Sequence, residues 1–289
     1  MATLANTGTK ASTTAATKII VSSPNATVGN TLIFQIGWVD STGNAVTPTT
    51  PTNWSDGYKK LSAAIGDNSG CAGYSLFYKT ASGGIENATF NNPGAGASLY
   101  GTGIITEWSG MGVLDSASTG AEITNSTAAS TTGMTVPNTG TLTNPNSTAF
   151  TGVGILSGTG TANANIAFNG GSWNALFSSQ NTATEEGSLA GDKVVAANSP
   201  IGAVYTWSAD SSMHCFQGAV TVFSDANAVQ NGGYYLQEDN LSKFTLEDGS
   251  GFYLIESWST SSALSQPPFV YGDLNGIGGP GRFFKDLTS

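Results

Sequence analysis

Large apolar residues alternate with small or polar ones along most of the chain. In Thr31–Val39 the residues Leu32, Phe34, Ile36 and Trp38 fall on every second position, so an extended strand places them on one face. Tyr74–Lys79, Leu99–Trp108, Ala149–Leu156, Ile201–Trp207 and Met213–Phe223 keep the same rhythm and are bounded by Gly, Asn or Pro. No segment longer than about three turns holds an apolar stripe at helical spacing. The pattern predicts an all-β fold, a two-sheet antiparallel β-sandwich of jelly-roll-like form over residues 18–224.

Where the rhythm stops, other roles are expected. Residues 1–17 have little to bury and read as a flexible N-terminal arm. Asp115–Asn146 is rich in Ser, Thr, Ala, Gly and Asn and reads as a surface excursion, with a second polar excursion at Ser178–Asp192. Residues 225–233 form a small polar linker, and residues 234–258 carry an aromatic, acidic quasi-repeat. In it Tyr234-Tyr235-Leu236-Gln237 is echoed by Phe244-Thr245-Leu246-Glu247 and then by Phe252-Tyr253-Leu254-Ile255. This predicts a small three-stranded meander turning at Glu238–Ser242 and Glu247–Gly251, where Asp-Asn and Asp-Gly suit hairpin turns. Strands so short sustain no core alone, so the meander is expected to dock. Residues 259–289, with Pro267, Pro268 and Pro280, read as an extended C-terminal arm. The candidate assembly interface is therefore Tyr234, Tyr235, Phe244, Phe252, Tyr253, Phe269, Tyr271, Phe283 and Phe284.

Composition narrows the chemistry. Only 10% of the 289 residues are charged, the net charge is −10, and there is one histidine, His214, with two cysteines, Cys71 and Cys215. Nine Lys and Arg spread along an acidic chain make no phosphate-binding patch, so no nucleic-acid partner is expected. No apolar run reaches the roughly 20 residues that span a bilayer. Met1–Lys18 lacks a basic and then hydrophobic leader, so neither a membrane nor a secreted location is expected.

His214 alternates with core-type residues and reads as structural, and Cys71 and Cys215 read as buried free thiols. There is no Gly-x-Ser-x-Gly elbow and no zinc-ligand spacing. A carboxylate-pair hydrolase would draw on Glu107, Asp115, Glu185, Glu186 or Asp192, all read as solvated surface groups. Asp67-Asn68, Glu238-Asp239 and Glu247-Asp248 read as turns, not as calcium ligands. The expectation is no catalytic residue, no cofactor and no metal. Trp54 and Trp173, in polar surroundings, are the candidates for stacking on a sugar, although a loop tryptophan also serves to plug the end of a sandwich.

Several segments resemble a β-sandwich domain of phage and bacterial proteins. They are Thr31-Leu-Ile-Phe-Gln-Ile, the Trp54 region, Leu76-Phe-Tyr-Lys79, the Glu107-Trp-Ser-Gly-Met111 corner and Gly218-Ala-Val-Thr-Val-Phe223. The C-terminal meander is similar to modules that close phage structural proteins. The resemblance implies a bacteriophage virion structural protein, foremost a capsid decoration or cement protein. It would form a homo-oligomer such as a trimer, contact capsid or tail proteins, and be made in the host cytoplasm and released by lysis. The alternative is a tail-fibre or adhesin module that binds host glycans through Trp54, Trp173 and the Asp115–Asn146 loop. A polysaccharide-active enzyme ranks third.

Overall fold

The structure, a computed structural model, describes residues 2–40, 45–64, 70–94, 99–118, 121–125, 131–144, 146–157, 166–181, 186–195, 198–210, 213–226, 243–245 and 252–254. The chain divides into two compact units, Met1–Ala228 and Val229–Ser289.

The first half of the larger unit holds β1 (Thr3–Thr7), β2 (Ala11–Ala16), β3 (Lys18–Ser22), β4 (Thr31–Asp40), β5 (Ser55–Tyr58), β6 (Ala63–Ala64), β7 (Cys71–Thr80), β8 (Asn87–Asn91) and β9 (Leu99–Ser109). Sheet I is centred on β4, which pairs along its whole length with β7 on one side and β9 on the other. β5 and β6 extend it beyond β7, and β1 and β2 extend it beyond β9. β3 and β8 form a separate two-stranded sheet.

The second half repeats the plan with β10 (Met111–Leu114), β11 (Glu122–Asn125), β12 (Thr131–Val136), β13 (Ser147–Ser157), β14 (Ala167–Phe168), β15 (Asn174–Asn181), β16 (Glu186–Val195), β17 (Ala203–Asp210) and β18 (Met213–Asp225). Sheet II is centred on β13, flanked by β16 and β18, with β15 beyond β16 and β10 and β11 beyond β18. β12, β17 and β14 form the second small sheet. Equivalent strands start at 18 and 131, 31 and 147, 71 and 186, 87 and 203, and 99 and 213, shifts of 113 to 116 positions. The two halves therefore share one topology at a nearly constant spacing.

Four layers result. Sheets I and II face each other, β4 lying against β13 and β16 while β7 lies against β13 and β18. Ile33, Tyr74, Leu76, Ile104 and Trp108 of sheet I meet Phe150, Ala190, Ala219 and Phe223 of sheet II in this central core. Each large sheet also has its outer face covered. Ile19, Val21, Ala88 and Phe90 of the β3–β8 sheet cover Leu32, Phe34, Ile36 and Trp38. Met134, Val136, Ala203 and Tyr205 cover Ala149, Val153, Ile155 and Val220 in the same way. Burial of both faces explains why β4 is buried from Leu32 to Asp40, with Leu32, Phe34, Ile36 and Trp38 on one face and Ile33 on the other. Fully burying each large apolar side chain contributes about 1.5–3 kcal/mol, so four layers give a chain of small residues an adequate core.

Small residues set how closely the central sheets approach. A Cβ on Gly152 would collide with the Tyr74 ring, and one on Gly154 would collide with the Gly73 carbonyl across the interface. This is the reason for glycine inside a central strand, where it otherwise weakens packing. It also explains β16. Ser178–Asp192, expected as a polar excursion, contains most of this inner strand, whose small residues fit both sides: Ser188 and Ala190 face sheet I, where Ser188 lies against Gly37, and a Cβ on Gly191 would meet Phe168 and the Asn174 carbonyl on the other face.

Two further expectations differ. Residues 3–16, expected as a free arm, run as β1 and β2 along β9, which without them would present an unpaired edge. Asp115–Asn146, expected at the surface, contains β11 and β12 and buries Met134, Val136 and Leu142. The smaller unit contains β19 (Lys243–Thr245) and β20 (Phe252–Leu254), paired antiparallel with Phe244 opposite Tyr253. The first expected strand of the meander and the C-terminal arm lie outside the described residues.

Candidate functional site

Polar groups in the body of the larger unit are turned inward. Gln35, at an inward position of β4, donates through Nε2 to Tyr74 Oη at 2.8 Å and to the Thr151 carbonyl at 3.1 Å. Gln217 accepts from the Tyr74 amide at 3.2 Å and donates to the Leu61 carbonyl at 2.6 Å. On the other side of β13, Thr151 Oγ1 lies 2.5 Å from Tyr205 Oη and donates to the Ala219 carbonyl at 2.8 Å. These side chains stitch three layers together, and burial pushes the Tyr74 and Tyr205 hydroxyls well above their ordinary range. The sequence pattern passed over Gln35 and Gln217; the available signal was a long polar side chain at an inward position of an otherwise apolar strand.

The candidate carboxylates separate into clamps. Glu107 is fully buried, contrary to its expected surface position, and accepts from Asn6 Nδ2 at 2.7 Å, the Thr27 amide at 2.7 Å and Asn30 Nδ2 at 2.6 Å. Burial opposes its charge, but these donors outweigh burial and hold its carboxyl below the ordinary range. Asp115 is buried as well and accepts from the Ala117 amide at 2.8 Å and from the Thr143 amide and hydroxyl at 2.9 and 2.8 Å. Asp192, also buried, accepts from Asn174 Nδ2 at 3.2 Å, and burial raises its carboxyl. Glu186 pairs with Leu156 and Asn181 in the ladder, and Glu185 lies outside the described residues. Glu107 and Asp115, each with both carboxylate oxygens engaged and each accepting from backbone amides, therefore tie distant segments together.

The thiols are equally withdrawn. Cys71 and Cys215 are buried and free, and burial pushes them up to about 11 and about 12. Nucleophilic and metal-binding cysteines have the opposite shift. Among the described residues no three His, Cys, Asp or Glu side chains gather as metal ligands. Asp67, Asn68, Glu238, Asp239, Glu247 and Asp248 lie outside the described residues, and His214 lies in β18.

Trp54 and Trp173 occupy matching corners. Each follows a residue in the left-handed region, Asn53 at φ 66° and Ser172 at φ 55°, and each immediately precedes an edge strand, β5 or β15. A lysine on the neighbouring strand stands beside each corner. The Lys79 ammonium lies 6.0 Å from the Trp54 ring centroid, and Lys193 donates to the Gly171 carbonyl. Trp54 is sealed, 8% exposed, with its ring edge-on to Phe34 at 5.9 Å. Trp173 is half-buried and stacks on Phe168 at 5.9 Å and 24°. A sealed indole offers no face to a sugar, and Trp173 is the less buried of the two candidates.

Of the candidate assembly residues, Phe244 lies in β19 and Phe252 and Tyr253 in β20. Tyr234, Tyr235, Phe269, Tyr271, Phe283 and Phe284 lie outside the described residues. No family model, curated protein or solved structure matches this chain.

Proposed function

We propose that the chain is a structural component of a virus particle, a decoration or cement protein that acts through contacts with its own copies and with capsid or tail proteins. The observation that carries this reading is the use made of polar chemistry in the larger unit. Glu107 and Asp115 are each held by three donors, both thiols are buried and raised, and the Gln35–Tyr74 seam is internal. Such a body supplies rigidity to an assembly. The Val229–Ser289 unit, rich in aromatics and carrying Pro267, Pro268 and Pro280, is suited to laying side chains into a neighbouring surface. Repeated copies in a lattice multiply each weak contact. Quantitative peptide mass spectrometry of purified particles tests the reading. Stoichiometric recovery with a major particle protein supports it, and absence from particles rejects it.

Glycan binding is the second reading, favoured by the half-buried position of Trp173 after the exposed Ser172. Saccharide titration followed by tryptophan fluorescence decides it, with Trp173→Ala expected to remove any saturable change.

A further inference from the structure

Three of the four edges of the large sheets are blunted. On one side of sheet I the edge is split between β1 and β2, each with a break in register along β9. On the other side it is split between β5 and β6, of four and two residues, with Asp56 in β5, Lys59 and Lys60 after it and an irregularity between Asp56 and Tyr58. The first edge of sheet II is split between β10 and β11, four residues each, with Glu122 in β11. Short, interrupted and charged edges are how sheet proteins prevent further pairing.

The fourth edge is longer and uncharged. β15 is one strand of eight residues, Asn174–Asn181, with no ionisable side chain, no proline and no glycine, and its one irregularity against β16 lies between Ala175 and Phe177. Among the described residues it pairs with β16 alone. Its counterpart in the first half is the short, charged β5, so the duplicated plan supplies its own comparison: among the described residues the same edge is short and charged in one half and long and neutral in the other. Asn174, Ala175 and Ser178 are exposed, whereas Phe177 is buried and anchors the strand.

We propose that β15 pairs antiparallel with β15 of a second copy, joining two copies of sheet II into one continuous sheet across a two-fold axis. An antiparallel strand is complementary to itself, because each end meets the other end of the partner, and the contact closes after two copies. Two chains of net charge −10 repel, and β15 brings them together along a segment where no like charges stand opposite. The pairing deepens the assembly reading by naming one of its contacts.

The test uses the full chain with Ala175→Lys and, separately, Ser178→Lys, both at exposed positions; because the Ser178 hydroxyl donates to the Ile166 carbonyl at 3.2 Å, the midpoint of the second variant is compared with that of Ser178→Ala. Light scattering after size exclusion gives the mass, hydrogen exchange of residues 174–181 gives strand protection, and the thermal midpoint checks the fold. The wild type is expected at no less than twice its 29.3 kDa chain mass, with protection of 174–181 rising with concentration. Each lysine variant is expected at half the wild-type mass or less, with its midpoint unchanged from the wild type for Ala175→Lys and from Ser178→Ala for Ser178→Lys. A wild-type chain that stays monomeric, or folded variants that keep the wild-type mass, overturns the pairing. So does protection of 174–181 that ignores concentration. The assembly reading is tested apart, by recovery from particles: a chain that dimerises through β15 but is absent from particles retains the pairing and loses the particle role.

Discussion

Asn6 Nδ2 donates to Glu107 Oε2 at 2.7 Å and so ties the first strand of the chain to the last strand of sheet I. The other carboxylate oxygen of Glu107 holds the Thr27 amide and Asn30, which fixes the β3–β4 connection to the same point. Glu107→Ala strands these donors and is expected to cost roughly 3 kcal/mol, read from the midpoint of urea unfolding.

The same group makes stability acid-sensitive. Its folded value is depressed, so its contribution is complete above the unfolded value of about 4.3 and is lost as pH falls through the lower folded value. Glu86, held down by Lys79 and Ser82 against the opposing effect of burial, acts in the same direction. The wild type should therefore lose more thermal stability between pH 5 and pH 3 than Glu107→Gln does, measured in matched buffers.

Thiol reactivity follows from burial. With values of about 11 and about 12, Cys71 and Cys215 at pH 8 are thiolate in about one molecule per thousand or fewer. A chromogenic disulfide reagent should find no fast-reacting thiol in the folded chain and two after denaturation.

Close approach of the central sheets is tested at Gly154. An added Cβ meets the Gly73 carbonyl, a backbone group that cannot rotate away. Gly154→Ala is expected to lower stability by about 1–3 kcal/mol, a fall of several degrees in thermal midpoint.

The two tryptophan corners separate by burial. Trp54→Ala empties a sealed site against Phe34 and is expected to cost about 3–5 kcal/mol in urea unfolding. Trp173→Ala, at a half-buried position, should cost less than half as much.

The large alternating strands were legible in the sequence because Leu32, Phe34, Ile36 and Trp38 carry their own periodicity. β16 was not, because a strand pressed between two layers at close range is made of Gly, Ser and Ala, the composition of a loop. The repeat of the two halves was hidden for a related reason. What recurs is strand order and register, while equivalent positions hold different side chains, as in the charged β5 and the neutral β15. Glu107 and Asp115 were visible as candidate acids, but their hydrogen-bond donors come from distant segments such as Asn6 and Thr143. Local spacing cannot register such partners.

The most direct test of the assembly account is the solution mass of the full chain beside that of a chain ending at Ala228, where the larger unit ends. The account predicts that the full chain is the larger oligomer and that the shortened chain falls to no more than the dimer that β15 pairing gives. Equal oligomeric states for the two chains would contradict an attachment role for the C-terminal unit.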